Sequence, residues 1–252
     1  MILTVIIGNT NTRLTWFRDD VIVKRWVHPT GTALPAAGPI DGTAIASVVP
    51  SRTASTTAGL KRQTGLTPLV VTPATKTGLR FRYNRRQIGA DRVCAAVGAH
   101  LHYSGNLVML DFGTAITLNV ISSDGTFQGG AIMPGADMMV EALARSTAQL
   151  PHVKPARRIA LSERSKPKGL LSLGHDTKSA IQTGVTGLLS CGLGSLIERL
   201  GPQYRVIATG GHALVFRKLI RRIDAVDPDL AARGLAQIYR LNRPKPDCRS
   251  RK

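Results

Sequence analysis

The 252-residue sequence has few acidic residues, few aromatic residues and few cysteines. Its 15 Asp and Glu residues stand against 34 Lys and Arg residues, which gives a formal net charge of +19 at pH 7. Such a charge favours an anionic partner, which can be nucleic acid, an anionic membrane surface or a phosphorylated small molecule. Aromatic residues make up only 4%, too few to favour a surface that stacks unpaired bases. Because the sequence also has no helix-turn-helix, zinc-finger or RNA-recognition motif, a nucleic-acid partner would rest on charge alone.

Cysteine pairs and long apolar runs are also scarce. Cys94, Cys191 and Cys248 are far apart and form no C-x-x-C pair, which argues against a disulfide framework and a thiolate zinc site. The apolar N-terminus at residues 1–7 stops at Gly8 and has no basic region, so it does not resemble a signal peptide. No apolar run elsewhere reaches the roughly 18–20 residues that a membrane span needs. We therefore expect a cytoplasmic protein with no membrane partner.

What the sequence does have is enough apolar material, 43% of its residues, for a substantial core. Short apolar runs at 1–7, 44–49 and 106–111 predict strands. Helical spacing predicts a helix at 90–101 and either a packed helix pair or one long helix at 177–200. Strands that alternate with helices are typical of an α/β protein.

A strand and turn at residues 5–12 recur at residues 110–117. In each copy an apolar strand is followed by glycine, then by hydroxyl or amide residues, then by a returning strand. The two glycines, Gly8 and Gly113, lie 105 residues apart (113 − 8), which is about a domain length and predicts an internal duplication. The predicted division is an N-terminal domain at 1–105, a C-terminal domain at 106–242 and a basic disordered tail at 243–252.

Glycine turns of this kind can bind phosphate. A glycine after a strand lets the backbone approach a ligand, and neighbouring N–H groups and Asn or Thr side chains can donate to phosphate oxygens. Residues 209–211, Thr-Gly-Gly, form a third glycine-rich strand end that could lie under a nucleotide base or ribose. Each turn alone is equally compatible with an ordinary hairpin glycine, but three together favour a nucleotide site.

Five short motifs occur in the order that is found in one known family. They lie at residues 8–12, 89–92 (Gly-Ala-Asp-Arg), 111–115 (Asp-Phe-Gly-Thr-Ala), 129–135 and 209–211. Together they resemble the type III pantothenate kinases of the acetate kinase, sugar kinase, Hsp70 and actin superfamily. The resemblance, which runs from Val5 to about Asn242, implies two RNase H-like (actin-like ATPase) domains, each a mixed sheet flanked by helices, facing a central cleft. It also implies a homodimer that phosphorylates pantothenate with ATP, the first step of coenzyme A synthesis.

The resemblance implies roles for individual residues as well. Asp91 matches the catalytic base that takes a proton from the pantothenate hydroxyl, although taken alone it is better explained as a helix cap or a partner of Arg92. Asp111 matches a ligand of the monovalent cation, K⁺ or NH₄⁺, which is needed beside ATP and Mg²⁺. Thr177 matches a substrate contact made across the dimer interface, and helix capping explains it equally well. The implied ATP contacts are Gly8, Asn9, Thr10, Asn11, Thr12, Arg13, Thr114, Gly210 and Gly211. The implied pantothenate contacts are Tyr83, Gly89, Ala90, Asp91, Arg92 and Thr177.

Two departures from the family pattern bear on activity. Ile6 stands where the family, and by the internal repeat Asp111, has an aspartate that helps to hold magnesium, and isoleucine offers a hard cation no oxygen. The family's Tyr-x-x-Pro is replaced by residues 82–85, Arg-Tyr-Asn-Arg, so the tyrosine is displaced by one position and the proline is absent. These departures leave a second interpretation open, a catalytically weak or inactive relative with a regulatory role in transcription, linked to nucleic acid.

Overall fold

The computed structural model describes residues 1–154 and 173–243, so nearly all of the predicted disordered tail lies outside the described residues. Contacts group the chain into two compact units. The first is Met1–Ser104 with Ser123–Gln128 and the described part of Asp229–Lys252, and the second is Gly105–Ser122 with the described parts of Gly129–Pro228. This grouping differs from the predicted split at residue 105 because the last helix packs on the first unit. The grouping of contacts does not test whether the two halves arose by duplication, so the predicted split at residue 105 remains a prediction.

The first unit is built on a five-stranded mixed sheet with helix α1 on one face. Its strands are β1 (Ile2–Ile7), β2 (Asn11–Arg18), β3 (Val21–Pro29), β4 (Gly42–Ser47) and β5 (Leu69–Val70), in the order β3-β2-β1-β4-β5. Strand β1 is antiparallel to β2 and parallel to β4. Because side chains alternate between the faces of a strand, Leu3, Val5 and Ile7 form one core with Leu60 of α1 (Pro50–Thr64).

Two helices of the first unit pack unusually closely, α2 (Ala90–His102) and α6 (Leu230–Asn242). A Cβ on Gly98 would overlap the carbonyl of Leu230, and a Cβ on Gly234 would overlap the carbonyl of Cys94. The two contacts are related by one offset, since 234 − 98 and 230 − 94 are both 136. By that offset Ala90, the first residue of α2, corresponds to position 226, four residues before α6 begins. Helix α2 therefore has one extra N-terminal turn.

The second unit is built on a sheet whose strands are β7 (Asn106–Phe112), β8 (Ala115–Ile121), β9 (Thr126–Pro134), β10 (Tyr204–Gly210) and β11 (Ala225–Val226). Its helices are α3 (Ala136–Ser146), α4 (Thr177–Leu200) and α5 (Ala213–Leu219). The start of β9 belongs to the first unit, where Thr126 and Phe127 pair with the short strand β6 (Arg80–Phe81). A 3₁₀ turn (Arg85–Gln87) joins β6 to α2.

The strands of the two units follow the same order. The strands of the second unit run β11-β10-β7-β8-β9, so each sheet, counted from its own first strand, is ordered 3-2-1-4-5. In each, the first strand is antiparallel to the second and parallel to the fourth. The predicted fold class, two mixed sheets flanked by helices, is confirmed.

Helix α4 bears on the expectation of no membrane partner. It spans 24 residues and carries charge only near its ends, at Lys178, Glu198 and Arg199. By length and composition alone it could cross a membrane, which the search of the sequence for apolar runs does not reveal because serine, threonine and glutamine interrupt its apolar residues. Core helices of soluble proteins pass the same test, and α4 buries one face, including Ile181 and Val185, in the core of the second unit.

Candidate active site

The first glycine turn connects β1 to β2 and is held by a threonine from the end of β3. The Gly8 amide donates to the Asn11 carbonyl at 3.0 Å, which closes the turn. The Thr30 hydroxyl donates to the Gly8 carbonyl at 2.7 Å and lies 3.0 Å from the hydroxyl of buried Thr12. The Thr30 amide donates to the carbonyl of Thr10, which is exposed like its neighbour Asn9. The predicted phosphate-binding residues therefore form one braced turn whose tip faces solvent.

This turn contains no carboxylate. Ile6 lies near the end of β1, between Ala46 of β4 and Arg13 of β2, and only 9% of its surface is exposed. An isoleucine there contributes packing and offers no oxygen ligand, which agrees with the departure seen in the sequence.

Asp91 lies in the extra first turn of α2. Its Oδ1 accepts a 2.7 Å hydrogen bond from the Arg92 amide. A Cβ on Gly89 would lie 2.6 Å from the same oxygen and 3.2 Å from Cγ1 of Val48, so only glycine leaves room for the carboxylate here. Burial raises the pKa of Asp91 above its ordinary value, and the Arg92 amide and charge oppose the shift. A carboxylate with a raised pKa binds a proton more readily, as a general base must.

Arg92 and Tyr83 pack together beside Asp91. The Arg92 guanidinium, in a residue only 8% exposed, lies 5.8 Å from the ring centroids of both Tyr83 and Phe127. Those two rings meet edge to face at 6.1 Å. The structure thus brings Tyr83 to Arg92 despite its displaced position in the sequence, and cation–π attraction holds the guanidinium in place.

A cavity of about 380 Å³ adjoins the start of α2. Gly89 and Ala90, both predicted substrate contacts, form part of its wall, and Ser47, Thr72 and Arg85 supply polar groups. Its size falls within the range of small-molecule sites, about 300–1,000 Å³.

The second glycine turn lies in the second unit, where Asp111, Thr114, Gly210 and Gly211 come together at the carboxyl ends of β7 and β10. Asp111 pairs with Thr209 across the parallel strands. Gly210 has φ of 94°, and a Cβ on it would lie 2.5 Å from Oδ1 of Asp111. Glycine is therefore required here both by backbone conformation and by the close carboxylate.

This second turn offers oxygen atoms to a cation. The Asp111 carboxylate is of the donor type that hard cations prefer. Among residues 1–154 and 173–243, no group of three or more His, Cys, Asp or Glu side chains is placed to hold a metal, so any cation there would take its remaining ligands from elsewhere.

Thr177 is separate from both turns. It is the first residue of α4 and is exposed. The capping role belongs to Asp176, whose Oδ1 accepts a 2.9 Å hydrogen bond from the Ser179 amide. Capping therefore does not account for Thr177.

Sequence reasoning missed two residues of the site region. Thr30 braces the first turn from 22 positions away, and no local pattern marks it. Phe127 reaches Arg92 only because β6 pairs with β9.

Comparison with known proteins shows the family of this chain. A family model described as type III pantothenate kinase matches residues 2–199. A type III pantothenate kinase of Hyphomonas neptunium is 34% identical over 96% of this chain and 100% of its own length. The corresponding protein of Caulobacter vibrioides is 36% identical over 96% of this chain and 98% of its own length.

Solved structures agree on the fold. A Campylobacter jejuni protein assigned to the Baf family of transcriptional activators superposes with a TM-score of 0.63 at 19% identity, covering 95% of this chain and 98% of that chain. A Sinorhizobium meliloti protein assigned as a 2-dehydro-3-deoxygalactonokinase gives 0.57 at 15% identity, covering 97% and 100%. At these identities the likeness extends to the fold alone.

Proposed function

The chain belongs to the type III pantothenate kinase family, a family of phosphotransferases, and from that premise we propose that it transfers the γ-phosphoryl group of ATP to the 4′-hydroxyl of pantothenate. This is the first step of coenzyme A synthesis. The observation that carries the proposal is Asp91, a partly buried carboxylate with a raised pKa beside a cavity of suitable size.

Asp91 acts as the general base in this proposal. Its carboxylate accepts the proton of the pantothenate hydroxyl as the oxygen forms its bond to the γ-phosphorus and ADP leaves. Gly89 and Ala90 let the substrate approach the carboxylate, and Arg92, held by Tyr83, fixes the position of Asp91 through its amide.

The glycine turns bind ATP. The exposed tip of the first turn, residues 8–11, can donate amide and side-chain N–H groups to phosphate oxygens, with Thr12 and Arg13 following it on β2. In the second unit, Thr114 contacts phosphate, and Gly210 and Gly211 leave space for the nucleoside.

Asp111 is the residue that would hold a cation. Mg²⁺ and a monovalent cation such as K⁺ neutralise charge on the phosphates when they are bound. Asp111 fits such an ion because Gly210, which has no side chain, leaves the space next to Oδ1 of Asp111 unfilled. Ile6 adds no ligand, so this chain depends on Asp111 and on the ATP phosphates more heavily than a relative with aspartate in both turns.

We further propose a cytoplasmic homodimer formed through α4. Leu188 is 64% exposed, and Gly184, Gly192 and Gly194 have open space around their Cα atoms. Exposed apolar and small residues on one long helix suit close contact with a second copy. Thr177, exposed at the start of this helix, is then placed to reach the partner's substrate. Light scattering should give a dimer for the wild type and a monomer for Leu188→Asp.

The proposal is tested by incubating the full chain with ATP, Mg²⁺ and pantothenate, with and without K⁺. Phosphopantothenate should form, and faster with K⁺. A folded, dimeric preparation that forms no product above background would contradict the proposal. The regulatory alternative receives no support from the comparisons, because the likeness to the Campylobacter protein extends only to the fold.

A further inference from the structure

The cavity at the start of α2 is basic and has no acidic side chain in its wall. Two of its lining residues, Arg85 and Arg86, are arginines, and among the described residues none of those that line it is Asp or Glu. A cavity whose wall has two arginines and no carboxylate is suited to an anionic ligand group.

Arg85 is held rigidly in this wall. Its Nη1 donates to the Thr75 carbonyl at 2.9 Å and its Nη2 to the Thr72 carbonyl at 3.4 Å. Its guanidinium carbon lies 4.8 Å from the ring centroid of Phe81. These contacts fix the orientation of the group before any ligand binds, which reduces the entropy lost on binding.

One donor of Arg85 remains unsatisfied. Its Nε is buried and has no hydrogen-bond partner among the residues that the structure describes. A buried N–H of a charged group without an acceptor is costly, and burial also lowers the pKa of Arg85. A ligand carboxylate beside the guanidinium would offset the cost of the buried charge, because guanidinium groups bind carboxylates with strong, charge-assisted hydrogen bonds.

We propose that Arg85 is a specificity-determining residue that binds the carboxylate of the acceptor substrate in this cavity. The inference rests on the proposed function and extends it. Pantothenate carries its reacting hydroxyl at one end and a carboxylate at the other. The Gly89 wall places the hydroxyl end near Asp91, and Arg85 takes the carboxylate end. The same position belongs to the altered Tyr-x-x-Pro segment, so this contact is a property of this chain's own sequence.

The test compares Arg85→Met with wild type on two acceptors, pantothenate and its neutral alcohol analogue pantothenol, each at saturating ATP. Loss of a charge-assisted contact should raise KM for pantothenate about 10- to 100-fold. KM for pantothenol and for ATP should change less than about twofold. Arg85→Lys should keep part of the preference for pantothenate. The matched control is Arg18→Met, the same change at an exposed arginine. Arg18 lies at the end of β2 that is away from the glycine turn.

Binding of pantothenate, measured by calorimetry with the same variants, separates the two proposals. If wild type forms phosphopantothenate and Arg85→Met lowers activity equally on both acceptors, or on neither, Arg85 does not read the carboxylate and this inference is wrong while the proposed function stands. If pantothenate binds in an Arg85-dependent way but is not phosphorylated, the inference stands and the proposed function is wrong. If wild type neither binds nor phosphorylates pantothenate, both are wrong.

Discussion

The hairpins that open the two sheets are built alike but carry different chemistry. In the first, the last paired residues are Ile7 and Thr12, which leaves four residues in the turn. In the second they are Phe112 and Ile116, which leaves three. The longer turn has an exposed tip without a carboxylate, and the shorter one has Asp111 two residues before its glycine. The common scaffold preserves the glycine, and under the proposed function both turns contact ATP while only the second supplies a carboxylate for a cation.

Helices α2 and α6 likewise combine a shared scaffold with a local difference. Gly98 of α2 faces Leu230, and Gly234 of α6 faces Cys94. The two glycines lie 136 positions apart (234 − 98), as do the two residues that they face (230 − 94), so each helix presents an equivalent glycine to the other. The extra first turn of α2, which carries Asp91 and Arg92, has no counterpart in α6. The residues proposed for chemistry are therefore found where the two halves differ.

The largest effect is expected for Asp91→Asn, which removes the function that distinguishes α2 from α6. We expect kcat to fall by about 10²–10⁴-fold, the range for loss of a general base. In the wild type, activity should be lost as pH falls through the raised pKa of Asp91, because the base must be ionised. A steady-state pH profile of both proteins measures this. If Asp91→Asn retained wild-type kcat, the base would lie elsewhere.

The same raised pKa has an opposite effect on stability. Because folded Asp91 binds its proton more tightly than the unfolded chain does, its contribution to stability is largest at low pH and is lost as pH rises from the ordinary value through the raised one. Asp91→Asn removes this cost, so its Tm at pH 7 should equal or exceed that of wild type. A lower Tm would mean that a fall in kcat reflects damage to the fold.

The second largest effect is expected on cation dependence, which should differ between variants of the two glycine turns. Asp111→Asn should raise the K⁺ or Mg²⁺ concentration needed for half-maximal rate by about 10–100-fold, because the proposed cation ligand loses its charge. Titration of each cation at fixed ATP measures the shift. Asn9→Ala in the first turn is the comparison, and it should change KM for ATP without changing cation dependence. Equal cation dependence in both variants would end the distinction between the two turns.

The third prediction concerns the packing that the two helices share. Gly98→Ala should lower the free energy of unfolding by about 2–4 kcal/mol, because the new methyl group meets the Leu230 backbone, which cannot move independently of α6. Gly59→Ala in α1 is the control, since no described atom lies within 4 Å of a Cβ there. It should be neutral or stabilise α1 by up to about 1 kcal/mol. Denaturant unfolding of both variants measures the difference.

The smallest effect is expected from making the two turns alike. Ile6→Asp should raise kcat by about tenfold, which corresponds to about 1.4 kcal/mol, if the absent carboxylate limits the rate. It should also lower Tm, because a carboxylate replaces a buried side chain. Ile6→Asn has a similar shape without the charge and should lower Tm without raising kcat. An unchanged kcat for Ile6→Asp at full Mg²⁺ would show that Asp111 suffices.

The sequence predicted what local signals determine. Apolar runs that break at glycine gave β1 and β7 with their turns, and α2 follows from helical spacing after Gly89. Strand β3 was missed because it lies at a sheet edge, where Val21, Val23, Trp26 and Val27 are exposed and no clear alternation develops.

The surroundings of the site could not be predicted because they depend on distant pairings. Phe127 reaches Arg92 through the pairing of β6 with β9, and Thr30 reaches Gly8 through the pairing of β2 with β3. Asp91 was identified through the family resemblance and not through its spacing, since a carboxylate at the start of a helix is usually a cap. Its raised pKa depends on burial, which no local pattern reports.

The close packing of α2 on α6 has a consequence for synthesis of the chain. During translation α2 is complete when residue 102 has been added, but the surface that covers it is made only with residues 230–242. Through more than a hundred intervening residues the glycine face of α2 has no native partner. The first unit therefore cannot complete its folding from residues 1–104 alone. During synthesis its last folding step can occur only after residues 230–242 have been added.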